Sequence, residues 1–127
     1  MSPVTEELIS DLYVIFCGRP ADQEGLVFWR ERLSQFSSKE EALTYFGRAS
    51  DMGQGAADNE TCSTNTEDYV WVMTTLLSRA YGRESTVREK AYYLAQLASG
   101  AWEPVMLAWQ LITNANGDDL DKLNSKL

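Results

Sequence analysis

Two apolar helical runs in this chain are stopped by the same pair of residues, and the spacing between the stops constrains the fold. The run from Thr5 to Cys17 ends at Gly18-Arg19, and the run that ends at Tyr81 meets Gly82-Arg83, 64 positions later. The register then continues without a gap, with Tyr93 in the place of Trp29 and Leu97 in the place of Leu33. Glycine ends a helix because it takes the left-handed C-cap conformation without a Cβ clash. Pro20 then forbids continuation of the first run. A helix, a Gly-Arg stop, a turn and an aromatic helix, written twice, imply one three-helix unit used twice, over residues 5–52 and 66–116. A unit that small cannot bury its own apolar faces well, so the copies are expected to pack together.

Helical spacing supports this copy by copy. In the first, Leu8, Leu12 and Ile15 or Phe16 share a face, Pro3 and Thr5 stand at the start, and Glu6 and Glu7 suit the positive helix end. Asp22 is placed to cap a second helix whose stripe is Leu26, Trp29, Leu33 and Phe36. Ser37-x-x-Glu40 has the form of a capping box and opens a third helix with Leu43, Phe46 and Ala49 inward. Residues 50–65 are polar and aperiodic, hence a loop.

In the second copy, Thr64-x-x-Glu67 predicts a helix through Tyr81 with Val70, Met73, Leu77 and Ala80 inward. Thr86-x-x-Glu89 opens the next, carrying Val87, Ala91, Leu94 and Ala98 as far as Gly100. Pro104 fits the first turn of a helix reaching Asn114. Asn116-Gly117 closes it, and Asp118 is expected to cap a tail helix over 118–127 holding Leu120, Leu123 and Leu127. The segment "YVWVM" approaches period two but sits inside a capped helical pattern. The expected class is all-α: two tandem three-helix units packed as one small bundle, plus a short C-terminal helix, in a single domain over 1–127.

Charge and composition restrict the function classes. Nineteen acids against eleven bases give a net charge of −8, which opposes nucleic-acid binding, since that needs clustered Lys and Arg. The absence of histidine removes Ser-His-Asp and Cys-His catalysis, the usual zinc sites and the commonest general base. The start "MSPVTEELIS" has no basic region, and no apolar run reaches membrane-spanning length, so neither a cleaved signal peptide nor membrane insertion is expected. Cys17 and Cys62 lack metal-ligand spacing, and their oxidation state is left open.

Individual sites were weighed against plainer roles. Arg19 and Arg83 lie at negative helix ends, where a guanidinium reaches free carbonyls or a nearby acid, and for Arg19 the candidate acids are Asp22 and Glu31. That structural role is preferred over anion binding. Trp29, Trp71 and Trp109 fall on helical spacing with apolar neighbours and are read as core rather than as a sugar-stacking platform. Trp102, beside Gly100 and Pro104 at a helix start, is the candidate partner contact. "NANGDDLD" offers oxygen ligands at Asn114, Asn116, Asp118, Asp119 and Asp121, but an EF-hand register would put Ile112 at position one and Leu123 at twelve. Helix capping explains these residues without calcium. The carboxylate pairs Glu6-Glu7, Glu40-Glu41 and Asp118-Asp119 occupy helix first turns. No catalytic residue, cofactor or metal is expected.

The stretch "LYVIFCGRPADQEGLVFW" and the following "YFGRASDM" resemble a helical domain of unknown function with the pattern L-Y-x3-L-G-R-x-P-D-x2-G-L-x-Y-W. Leu12, Tyr13, Gly18, Arg19, Gly25, Leu26 and Trp29 match it in place, while the Pro-Asp pair is split by Ala21 into Pro20 and Asp22. That domain recurs in bacterial secreted calcium-repeat proteins, adhesins and surface-layer proteins, and it is loosely similar to phycobilisome linker domains. The resemblance implies a helical, non-catalytic surface or assembly protein. The function expected is thus a protein-interaction and structural module, a small subunit of a surface or particle assembly. A bacteriophage or phage-like virion component is its sharper form. A carbohydrate-binding surface anchor, for example to lipopolysaccharide, is the rival from another class.

Overall fold

The computed structural model describes residues 4–51 and 66–127. Within them the chain is all-helical: α1 (Glu6–Leu12) passes into a π-helical turn (Tyr13–Cys17), followed by α2 (Gln23–Leu33) and α3 (Lys39–Asp51). After the segment 52–65 come α4 (Tyr69–Tyr81), α5 (Val87–Ala98), α6 (Pro104–Asn114) and α7 (Gly117–Lys126). No strand occurs among the described residues. α3 continues through Asp51, so helix occupies the first two positions of the expected loop.

The helix ends follow local chemistry. Thr5, Asp22 and Thr86 each accept a hydrogen bond from the backbone N–H three residues on, satisfying a donor that the helix itself leaves free. Thr86 and Glu89 form the reciprocal capping box. Two expected boxes are displaced. α3 is capped by Ser38, which accepts from Glu41 N–H, rather than by Ser37. α4 is capped by Asp68, which accepts from Trp71 N–H, and Thr64 lies outside the described residues. The tail helix has Asn116 rather than Asp118 at its N-cap, with Asp118 and Asp119 in its first turn. Gly18 and Gly82 hold the left-handed C-cap, at φ 75° and 66°.

One core runs through the bundle. The first helix and its π turn bury Ile9, Leu12, Tyr13, Ile15, Phe16 and Cys17. The wider π turn brings Ile15 and Phe16 inward together, where a regular helix had offered a choice of one. They meet Leu43 and Phe46 of α3, Val72, Met73, Leu76 and Leu77 of α4, and Val105, Leu107, Ala108 and Leu111 of α6 within one cluster. α3 crosses α6 closely at Gly47, where an added Cβ would lie 2.7 Å from Val105 Cγ1. Leu123 of α7 completes the core, and α7 packs on α4.

The inward faces of α4 and α5 differ from expectation. Val70 and Trp71 are 52% and 42% exposed, and Val87 is 89% exposed. Ala91 and Ala98 also face solvent, while Leu97 is the buried residue of α5. With α4 beginning at Tyr69, Val70 and Trp71 sit in its first turn, ahead of the packed length that starts at Val72. On the tail, Leu120 and Leu127 are exposed. Cys17 is disulfide-bonded, and the chain's other cysteine, Cys62, lies outside the described residues. Among the described residues no helix is long and apolar enough to cross a membrane.

Candidate functional site: an aromatic groove between α5 and α6

The second Gly-Arg pair ties together the helix ends beside this groove. Arg83 follows the α4 C-cap and forms two bidentate pairs, with Glu89 (2.7 and 2.9 Å) and with Asp119 (both 2.8 Å). A fifth bond goes to the Glu84 carbonyl at 2.9 Å, and the guanidinium lies 5.3 Å from the Tyr81 ring centre. One planar fork thus ties the end of α4 to the first turns of α5 and α7. The hydrogen bonds from Arg83, aided by the Thr86 N–H, hold the Glu89 carboxyl down at about 2, and donation to Glu89 and Asp119 pushes the Arg83 guanidinium up.

Arg19 sits differently. Its guanidinium lies 5.7 Å from the Tyr13 ring centre, and Asp22, one of the acids suggested for it, caps Gly25 N–H at 2.6 Å. Arg79 of α4 caps carbonyls at the end of the first run. Arg79 donates to Phe16 O at 2.9 Å and to Ile15 O at 3.4 Å, and its guanidinium lies against Gly18. Pro20 is exposed in the turn beyond.

Trp29 and Tyr93, which share a register position in the sequence, have opposite surroundings. Trp29 is fully buried and donates its indole N–H to Tyr13 Oη at 2.8 Å. Phe28, Tyr45 and Phe46 pack edge-on around it at 5.1, 6.1 and 4.8 Å between ring centres. Tyr93 is only partly buried, and its hydroxyl pKa is raised by burial and by the Glu89 charge. It lines a groove of about 450 Å³ together with Arg88, Glu89 and Tyr92 of α5, Trp102 of the α5–α6 turn, and Gln110 and Asn114 of α6.

Three aromatic rings form one wall of this groove. Tyr92, 53% exposed, meets Trp102 edge-on at 5.6 Å, and Tyr93 lies 6.2 Å from Trp102. Trp102 is half-buried rather than freely exposed: its backbone N–H donates to Gln96 O at 3.1 Å, and its ring rests on the two tyrosines. On α6, Asn114 Nδ2 donates to Gln110 Oε1 at 2.7 Å. With Glu89 held ionised and Tyr93 held protonated near neutral pH, the groove offers fixed acceptors and donors beside apolar rings. That chemistry suits binding.

Of the remaining tryptophans, Trp109 is half-buried with Lys39 Nζ 5.8 Å from its ring centre, and Trp71 is exposed, contrary to the core role expected of it. In the "NANGDDLD" segment, Asn114 and Asp119 are engaged with Gln110 and Arg83. Of the groove residues, the sequence singles out Trp102 as a partner contact, Tyr93 only as part of the repeat and Asn114 only as a possible oxygen ligand, while Arg88, Tyr92 and Gln110 carry no such mark. Their signal was the i, i+4 spacing of 88 with 92 and of 110 with 114, which puts each pair on one helix face. Comparison with family models, with curated proteins and with solved structures finds no match to this chain.

Proposed function

We propose that this chain is a non-enzymatic helical interaction module, built as two tandem three-helix units, that presents the α5–α6 groove to a partner as a small subunit of a surface or particle assembly. The observation that carries the reading is the difference between the two aromatic helices. In the first unit Trp29, Tyr45 and Phe46 fill the space between α2 and α3. In the second, Tyr93 stands in the place of Trp29 and, at the same spacing, Trp109 and Gln110 stand in those of Tyr45 and Phe46, while α5 packs on α4. Where Trp29 is fully buried, Tyr93 is only partly so, and with Tyr92 and Trp102 it leaves three rings part-exposed along the groove. Exposed aromatic surface of this kind is what recognition sites concentrate.

The tandem arrangement draws support from matching devices at near-constant spacing: left-handed caps at Gly18 and Gly82, side-chain caps at Asp22 and Thr86. It agrees with the resemblance to helical domains of surface proteins. A virion component is the narrower form of the same reading, and capsid or tail genes adjoining this one would favour it. The direct test is photo-crosslinking in the source cells from position 102, with the fully exposed position 87 as the control. Discrete products from 102 alone, lost when Tyr92 is changed to Ala, are expected. Equal products from both positions would refute the assignment of the groove.

A further inference from the structure

We infer that the α5–α6 groove binds a neutral glycan, an inference that rests on the groove being the recognition surface. A pyranose ring is itself two-sided: its C–H faces are apolar and stack on aromatic faces, and its rim carries hydroxyls that both donate and accept. The groove has the same division. Tyr92, Tyr93 and Trp102 supply the apolar wall, with polar groups of α5 and α6 beside it.

The amide pair on α6 sharpens the assignment. The bond between Asn114 and Gln110 uses one donor and one acceptor, and whichever way the two amides are turned, one carbonyl and one NH2 remain open to the groove. A donor and an acceptor side by side match two neighbouring hydroxyls of a sugar. They are poorly matched to an apolar side chain, whose burial would strip both of water without replacing their hydrogen bonds. Arg88 adds a further donor from α5, and among the described residues it has no ion-pair partner. A groove of about 450 Å³ falls within the ordinary range of small-ligand sites.

Charge selects the class of glycan. The chain carries −8 overall, and Glu89 at the groove stays ionised well below neutral pH. A polyanionic saccharide would meet that field with Arg88 as its main attraction at the groove, whereas a neutral one is indifferent to it.

The test uses the full chain and neutral tetrasaccharides built from glucose, galactose, mannose or N-acetylglucosamine, with tetragalacturonate as the acidic comparison and binding followed by amide and indole NMR shifts. At least one neutral sugar is expected to move the signals of Tyr92, Tyr93, Trp102 and the Gln110 side-chain amide. Trp102→Ala should weaken binding about tenfold, and Trp102→Phe should restore most of it. Gln110→Leu, which leaves the aromatic wall intact, should weaken it several-fold without lowering the melting temperature. Saturable binding of tetragalacturonate alone, or of no sugar at ten millimolar, would overturn the inference. If crosslinking from position 102 persisted in that case, the groove would remain a recognition surface for a protein. If it too were absent, the reading beneath would fall as well.

Discussion

Gly18 and Gly82 have the same backbone conformation and unequal surroundings, so one substitution at both sites separates backbone strain from packing. An alanine at Gly82 meets nothing within 4 Å. Gly82→Ala should therefore cost only the left-handed penalty, about 1 kcal/mol. At Gly18 the added Cβ would lie 2.8 Å from Arg79 Cζ and 2.9 Å from Nη2. The guanidinium must swing aside, weakening its bond to Phe16 O, and hydrogen bonds from charged groups contribute about 1.5–3 kcal/mol. Arg79 is part-buried and its end is flexible, so part of this is recovered, leaving an excess of about 1–2 kcal/mol.

Gly18→Ala should thus cost about 2–3 kcal/mol in all, and its thermal midpoint should fall roughly 4–8 °C below that of Gly82→Ala. Urea and thermal melts followed by circular dichroism measure both. In an Arg79→Met background the Gly18→Ala cost should drop to about 1 kcal/mol, because the clash and the lost bond are then absent. Equal costs at the two glycines, or no coupling between positions 18 and 79, would refute the argument.

Gly47→Ala should destabilise by about 1–3 kcal/mol, since its Cβ would meet Val105 at 2.7–2.8 Å across two packed helices; Val105→Ala should recover part of the loss in melts of the double variant. Asp11 has its pKa raised from 3.8 to about 6 by desolvation, with Glu7 adding repulsion. The folded state therefore binds its proton first, and this group's contribution to stability rises as pH falls from about 6 toward 4. Asp11→Asn should raise stability at neutral pH by on the order of 1 kcal/mol after solvent screening, and flatten that rise in melts across pH. Glu89 behaves oppositely, with its pKa lowered from 4.5 to about 2 chiefly by its bonds to Arg83. Its stabilisation is present above 4.5 and lost as pH falls through about 2, so Glu89→Gln should cost stability at pH 7 and erase that acid loss in a pH series of melts.

Helix punctuation was the most legible part of the sequence. Gly18, Gly82, Thr5, Asp22, Thr86 and Pro104 act where local chemistry puts them, because a cap depends on a few adjacent residues. Ser37 and Thr64 were misassigned because serine and threonine crowd those starts, and the true caps, Ser38 and Asp68, satisfy the same donor requirement one to four positions on. Helix faces were harder. Val70, Trp71 and Val87 are apolar and at helical spacing, but each lies in the first turn of its helix and is exposed.

The groove was legible only in pieces. Trp102 stood out for its place at a helix start. The amide pair and Tyr92 gain meaning only once α5 and α6 are side by side. Arg79 was invisible in the same way, because its partners, the carbonyls of Ile15 and Phe16, lie on another helix and carry no side-chain signal.

The central claim, that recognition passes through the α5–α6 groove, is tested most directly by fluorine NMR of the chain labelled with 5-fluorotryptophan, titrated with the neutral tetrasaccharides and with any partner recovered by crosslinking. The four tryptophans report separate places: Trp29 the core, Trp109 the edge of α6, Trp71 the open start of α4 and Trp102 the groove. The account predicts that the Trp102 line shifts on binding while Trp29 and Trp71 hold still. A shift of Trp71 with Trp102 unmoved would contradict it and transfer recognition to the exposed first turn of α4.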